Sequence, residues 1–387
     1  RLDAVKHIYM KDEVDSTGND IIITDVGSKN AYDEEKGKYI TQPYDYSSDL
    51  TKNVAWWKHF SNELKKVYPN CFLVGENFDG YGNRVSPYFQ GLDSQFDFAN
   101  YYHIPAKLIP YGAAGYGQTE KDEVFTPAQS DKTTVYTNGV PNSNFPGGKR
   151  TDFIDGAFTS NHDVPRAINQ ASGPITDTAG NTTALEKVTG SAEEVRKAKV
   201  HAAATLLHPG ISWIYYGDEL GMSSNTDTHV DTYGNENSID IWYRQPMMWM
   251  DNAIRPGYRN GQYLIDSKHY DSYNSQLFSR GLGLKQKGTS FTSDNEMFSW
   301  YKALCEIKNM YPANSSVDYS WSSNNVLCNH VYGNGSELLV YVATGFNPSE
   351  QYSLVIPEGF SKVKEVNCSV NAGDNFGGSC AIVVFKK

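Results

Sequence analysis

The sequence predicts an α/β protein built on a parallel sheet, followed by a small all-β region. Three observations predict it. Short apolar runs bounded by turn residues alternate with helical-period segments as far as residue 311, the pattern of strands joined by crossover helices. From about residue 312, apolar or period-2 runs separated by Gly, Asn and Pro replace that pattern, as in an antiparallel β-sandwich. Three of the early runs also end on an acid: Asp3, Glu76 and Asp163. A carboxylate at the end of a buried strand is costly unless it is solvated, paired or in use.

Taken in order, residues 1–8 read as the end of a strand, and a polar insertion rich in Asp, Gly, Lys and Tyr fills about 11–50. Trp57, Phe60, Leu64 and Val67 recur at helical spacing and predict a helix over 53–67. Strands follow at 72–75, 94–98 and 153–159, with a Gly/Pro/Asn-rich loop over 111–150. Ser191 and Glu194 make a capping box that opens a helix over 192–207, which Pro209-Gly210 stops. A strand at 211–216, a long loop over 218–285 and a helix over 296–310 complete this part. Loops of that length inside a compact protein are usually functional. In the terminal part the strands fall at 326–331, 336–342, 352–356, 363–368 and 380–385. The expected division is 1–311 and 312–387, with no internal repeat.

A chain of 387 residues can hold a large core and more than one domain. Its 34 basic against 45 acidic residues, net −11, argue against nucleic acid and anionic membrane surfaces, which need a basic footprint. No apolar run approaches the ~18 residues of a membrane-spanning helix. The abundant Tyr and Trp serve either packing or stacking on sugar faces. No cysteine pair has CxxC spacing, so a zinc or redox motif is not supported. Cys368 and Cys380 fall in adjacent expected strands and could pair, which would suit a secreted protein. The odd cysteine count leaves at least one thiol free or paired elsewhere. Sequons at Asn181, Asn314, Asn334 and Asn367 hint at surface loops.

The chemistry lies at the three acidic ends. Residues i and i+2 on a strand share a face, so Arg1 and Asp3 point the same way, and the guanidinium would keep Asp3 ionised as a nucleophile needs. Phe72 and Val74 precede Glu76 on its face, and such apolar neighbours suit a general acid. Asp163 follows His162 within Asn161-His162-Asp163-Val164-Pro165-Arg166, where imidazole can donate to a hydroxyl and carboxylate can face developing positive charge. Each feature alone also reads as a structural pair or a satisfied strand end. Together they match retaining glycoside hydrolysis, which needs a nucleophile and an acid/base about 5–5.5 Å apart. Adjacent strands of a parallel barrel deliver such groups at their carboxyl ends.

These segments resemble the catalytic regions of the α-amylase family, glycoside hydrolase family 13. Arg-Leu-Asp-Ala-Val-Lys-His (1–7) resembles its fourth-strand motif, Phe-Leu-Val-Gly-Glu-Asn (72–77) the fifth and Phe-Thr-Ser-Asn-His-Asp (158–163) the seventh. Ile-Tyr-Tyr-Gly-Asp-Glu-Leu-Gly-Met (214–222) resembles the eighth-strand segment, and Arg244-Gln245-Pro246-Met247-Met248-Trp249 is similar to a loop of the family's bacterial members. The resemblance implies a (β/α)8 TIM barrel, of which this chain supplies roughly strands four to eight, followed by a C-terminal antiparallel β-sandwich.

The same resemblance implies Asp3 as nucleophile, Glu76 as acid/base and Asp163 as the group that holds the distorted sugar. It places Arg1 and His162 at the cleaved sugar, Lys6 and His7 on the leaving-group side, and Arg166 in a structural salt bridge. The implied reaction is endo-acting, retaining hydrolysis of α-1,4-glucosidic bonds in starch and maltooligosaccharides, with Ala4 and Lys6-His7 resembling endo-amylases. The alternatives are an exo-α-glucosidase, a neopullulanase-like enzyme or a 4-α-glucanotransferase on the same scaffold, and a non-catalytic sugar-binding relative. The chemistry requires no cofactor. Structural calcium fits the family, with most expected ligands upstream of Arg1, so no metal ligand is assigned. The expected partners are the α-glucan and the N-terminal half of the barrel, and the expected location is extracellular or cell-surface in a bacterium. The first three strands are absent, so a fragment beginning at Arg1 is expected to be inactive because half a barrel leaves open sheet edges.

Overall fold

The computed structural model describes residues 1–9, 50–78, 85–98, 100–101, 104–105, 148, 152–172, 188–208, 210–224, 243–250, 270–313, 315–318, 321–322, 325–345, 351–367 and 380–387. Short ladders at 31–33, 38–40, 140–141, 149–150, 258–259, 262–263 and 375–377 are described by backbone alone. Two compact units emerge: Arg1–Asn100 with Phe125–Gly156, and Tyr101–Val124 with Ala157–Lys387.

In the first unit, β1 (Val74–Gly75) runs parallel to β2 (Ser94–Phe96), with Val74 opposite Ser94. The first three residues of β3 (Ile154–Phe158) run parallel to β2 on its other side, Gln95 facing Asp155. Leu2 bridges Gly75 in parallel, so the chain start lies beside β1. Residues 1–8 do not continue as a strand. Ala4 turns to φ 45°, ψ 46° and Val5–His7 wind into a 3-10 turn, which ends the pairing one residue before Asp3. Helix α1 (Leu50–Val67) covers the sheet. Its Val54 and Trp57 pack with Val5, Leu73, Tyr88 and Leu92 around Phe60 and Leu64. It starts three residues earlier than the apolar period predicts, because Leu50, Thr51 and Lys52 are exposed. Gly75 is required by this packing, since a Cβ there would sit 2.4 Å from Leu92 Cδ1.

In the second unit, β4 (Ile211–Trp213) follows β3 in strand order. Helix α2 (Ala167–Ser172) was not expected from the sequence; its six residues are too short for a visible period. Helix α3 (Ala192–Leu206) carries the expected capping box: Glu194 N donates to Ser191 Oγ at 3.2 Å and Ser191 N to Glu194 Oε2 at 2.8 Å. The expected 218–285 loop contains a 3-10 turn, Asp218–Leu220, and helix α4 (Ser272–Ser279), capped by Asp271. Helix α5 (Glu296–Lys308) is capped by Asn295.

The terminal part is a five-stranded antiparallel sheet. Its strands are β5 (Ser316–Asp318), β6 (Val326–Gly333), β7 (Ser336–Ala343), β9 (Ser361–Val366) and β11 (Ile382–Lys386), in the order 5-6-7-11-9. A separate antiparallel ladder joins β8 (Gln351–Ser353) to β10 (Asn375–Gly377). Asn334-Gly335, both at positive φ, close the β6–β7 hairpin, the turn that matches strand twist. One sheet face (Val326, Cys328, Leu339, Tyr341, Val383, Phe385) shares a core with Tyr352 and Leu354. Asn329 Nδ2 (3.0 Å) and Tyr311 Oη (2.9 Å) donate to the Leu207 carbonyl, satisfying an end of α3 that lacks helical partners.

Cys71, Cys305 and Cys328 are thiols. Cys380 is buried with its Sγ 3.4 Å from Arg196 O; Cys368 lies outside the described residues, as do Asn181, Asn314 and almost all of 11–50 and 111–150. Asn334 and Asn367 are exposed. Among the described residues, no helix is long and apolar enough to cross a membrane.

Candidate active site

In the first unit the backbone sets two acids side by side. Leu2 N donates to Val74 O and Glu76 N to Leu2 O, both at 2.8 Å, and Val5 N donates to Glu76 O at 3.0 Å. With Leu2 opposite Gly75, Asp3 and Glu76 each stand one residue past the paired position. The left-handed turn at Ala4 aims its N–H at the Glu76 side chain, and Oε2 accepts at 2.8 Å. That conformation costs a non-glycine residue about 1–2 kcal/mol, and strain of this kind concentrates at functional sites.

The two acids sit in unlike surroundings. Glu76 is buried (8% exposed). The Asp3 side chain is 75% exposed, and Arg1 Nη2 lies 2.8 Å from its Oδ1, the same-face pairing expected at i, i+2. A solvated pair of this sort stabilises the fold by at most ~1 kcal/mol, so its importance is orientation and charge. The Arg1 guanidinium also lies over the Phe96 ring at 5.9 Å. A solvated carboxylate beside a cation, next to a buried carboxyl, is the asymmetry a nucleophile and an acid/base require. Lys6 is buried, and its Nζ donates to Phe78 O at 2.5 Å, tying together the turns that follow the two acids. His7 is exposed.

In the second unit, Asn161 and Val164 bridge across a tight turn that presents His162 and Asp163. Asn161 Oδ1 accepts from Asp163 N at 2.8 Å. Asp163 is held by side chains: Arg244 Nη2 reaches Oδ1 at 2.9 Å, and His162 Nε2 lies 3.1 Å from Oδ2. Arg244 Nε also donates to His162 O at 2.9 Å. Sequence reasoning noted Arg244 only within its loop motif; nothing local links it to a residue 81 positions away.

Arg166 occupies the structural place expected of it. It is fully buried, donates from Nη1 to Tyr216 O at 2.6 Å, lies 3.8 Å from Asp218 and packs on the Tyr215 and Tyr216 rings. Asp218 accepts from Thr159 Oγ1 (2.8 Å) and Ser160 Oγ (2.5 Å), anchoring the residues just ahead of His162. Burial pushes the Asp218 carboxyl up, against the pull of Arg166. Burial likewise pushes Glu219 up to about 7. Among the described residues, no group of three His, Cys, Asp or Glu converges to hold a metal ion.

Residues 1–315 match the family described as alpha amylase, catalytic domain. Alpha-amylase 3 of Dictyoglomus thermophilum is 27% identical over 260 residues, 67% of this chain and 39% of that protein. Alpha-amylase SusG of Bacteroides thetaiotaomicron is 23% identical over 313 residues, 81% of this chain and 32% of its own length. The chain thus spans well under half of these two curated relatives. In fold, it is similar to the alpha-amylase from H. orenii, with a TM-score of 0.55 at 20% identity, covering 88% of this chain and 58% of that one.

Proposed function

The chain belongs to the α-amylase catalytic-domain family, and from that premise we propose that it carries the acids of an endo-acting, retaining hydrolase of α-1,4-glucosidic bonds. It would supply strands four to eight of an eight-stranded barrel and a terminal β-sandwich. One observation carries the reading: Asp3 and Glu76 leave adjacent parallel positions, with the Glu76 carboxyl bonded to the N–H of the residue after Asp3.

An Asp3 oxygen attacks the anomeric carbon while the glycosidic C–O bond breaks and Glu76 gives its proton to the departing oxygen. Glu76, now a carboxylate, takes a proton from water, whose oxygen displaces Asp3 and restores both side chains. Arg1 pairs with Asp3 and orients it. Asp163 binds sugar hydroxyls and faces the positive charge of the transition state, with His162 beside it. Lys6 and His7 belong to the turn on the leaving-group side.

The test uses amylose with blocked chain ends, the full-length protein and its Glu76→Gln variant. Mixed maltooligosaccharides from the parent, absent with the variant, are the expected result. An uncleaved blocked chain would move the reading to an exo-glucosidase or a transferase.

A further inference from the structure

The turn that follows Asp3 has a hydrogen bond of its own, His7 N to Ala4 O at 2.8 Å, and helix α1 holds it from outside. Asn53, fully buried at 0% exposure, donates from Nδ2 to Lys6 O at 2.6 Å and to Tyr9 O at 2.9 Å, while its Oδ1 accepts from Tyr9 N at 2.8 Å. One turn further along the helix, Trp57 Nε1 donates to Val5 O at 2.7 Å. A side-chain amide is the one small group that offers two donors and an acceptor, so it can close on both carbonyls and the N–H of this turn at once. Aspartate would set a carboxylate against two carbonyl oxygens. Alanine would leave the buried Lys6 carbonyl and both Tyr9 backbone groups without these partners.

The turn so held has two ends with chemical consequence. At one end, Ala4 N meets Glu76 Oε2. At the other, Lys6 reaches Phe78 O and His7 faces solvent. We propose that Asn53, seconded by Trp57, is the positioning residue for the leaving-group side of the site: it fixes the 4–9 turn, with Lys6 tied to Phe78 O, so that Glu76 and His7 meet the departing sugar in one geometry. This rests on the hydrolase reading above and names a part of that site that neither motif nor charge pattern reveals. The helix does not touch substrate in this account; it acts through the turn.

A ratio of two substrates tests it. Maltoheptaose fills the leaving-group side and needs a proton from Glu76, whereas α-maltosyl fluoride expels a single atom, leaves that side empty and needs little proton transfer. Measured on the full-length protein, kcat/KM for maltoheptaose divided by kcat/KM for the fluoride is independent of how much enzyme is folded. Asn53→Ala is expected to lower this ratio roughly ten- to a hundredfold, the scale on which small misplacements cost rate. Trp57→Phe, which keeps the ring packing and removes only the N–H, is expected to lower it by a smaller factor, and it stands in if Asn53→Ala does not fold. Equal loss on both substrates would make Asn53 merely structural and overturn the proposal. A parent protein inactive on both substrates would remove the hydrolase reading itself, and the inference with it.

Discussion

Two acidic places in this molecule are built by opposite means. Asp3 and Glu76 are set by backbone: a parallel bridge, three main-chain hydrogen bonds and a left-handed turn leave each acid one residue past its strand. Asp163 is set by side chains, chiefly a guanidinium arriving from 81 residues away. Backbone register spreads the task over several main-chain groups. A side-chain clamp concentrates the same task in one replaceable residue. The difference predicts where each place breaks.

The largest effect is expected at Asp3. Asp3→Asn removes the nucleophile and leaves the register untouched, so kcat should fall on the order of 10⁴-fold or more while circular dichroism and melting temperature stay put. A loss of fold instead would show that the Arg1–Asp3 pair supports the structure.

In the second unit, α3 buries His201 completely, and burial lowers its imidazole to about 4. The folded state keeps this group neutral. Its contribution is therefore fully present above the ordinary value of 6.5 and lost as pH falls through about 4, on the order of 3 kcal/mol. Urea unfolding between pH 7 and 4 should show that loss, and His201→Asn should flatten it. An unchanged slope in the variant would refute the assignment.

Arg244→Ala sharpens the comparison most directly. With 46% of its side chain exposed, Arg244 should add under ~1 kcal/mol to stability. Yet its loss frees Asp163 and His162, and kcat/KM should drop about ten- to a hundredfold. Arg244→Lys keeps the charge without the paired donors and should recover only part. A stability loss matching the activity loss would contradict a positioning clamp.

The last effect concerns Glu219, pushed up to about 7 by burial. Its neutral form is favoured in the fold, so its contribution is present below 4.5 and is lost as pH rises through about 7. Glu219→Gln should remove a decline in melting temperature between those values; a steeper decline would count against it.

What the sequence made legible was what neighbours in sequence decide. The Ser191–Glu194 box and the Arg1–Asp3 pair are each closed within a few residues, and both stand as read. The strand read over 1–8 failed because Ala4 turns left-handed, a choice enforced by Glu76 from another strand. Helix α4 was hidden because Ser-Tyr-Asn-Ser-Gln-Leu-Phe-Ser carries little apolar period; its amide and carboxylate network with Ser223 and Gln245 holds it instead. Asn53 read as one polar residue on a helix, and Arg244 as one residue of a loop. Both act across distances in sequence that no local pattern encodes.

The most direct test is to trap the covalent step. Full-length Glu76→Gln protein incubated with α-maltosyl fluoride still forms the glycosyl ester, because fluoride leaves without a proton, but lacks the base that hydrolyses it. Digestion and mass spectrometry should find one maltosyl group on the peptide containing Asp3. A label on Asp163 or another residue, or release of maltose at the parent's rate with no labelled peptide, would contradict the assignment of Asp3 as nucleophile.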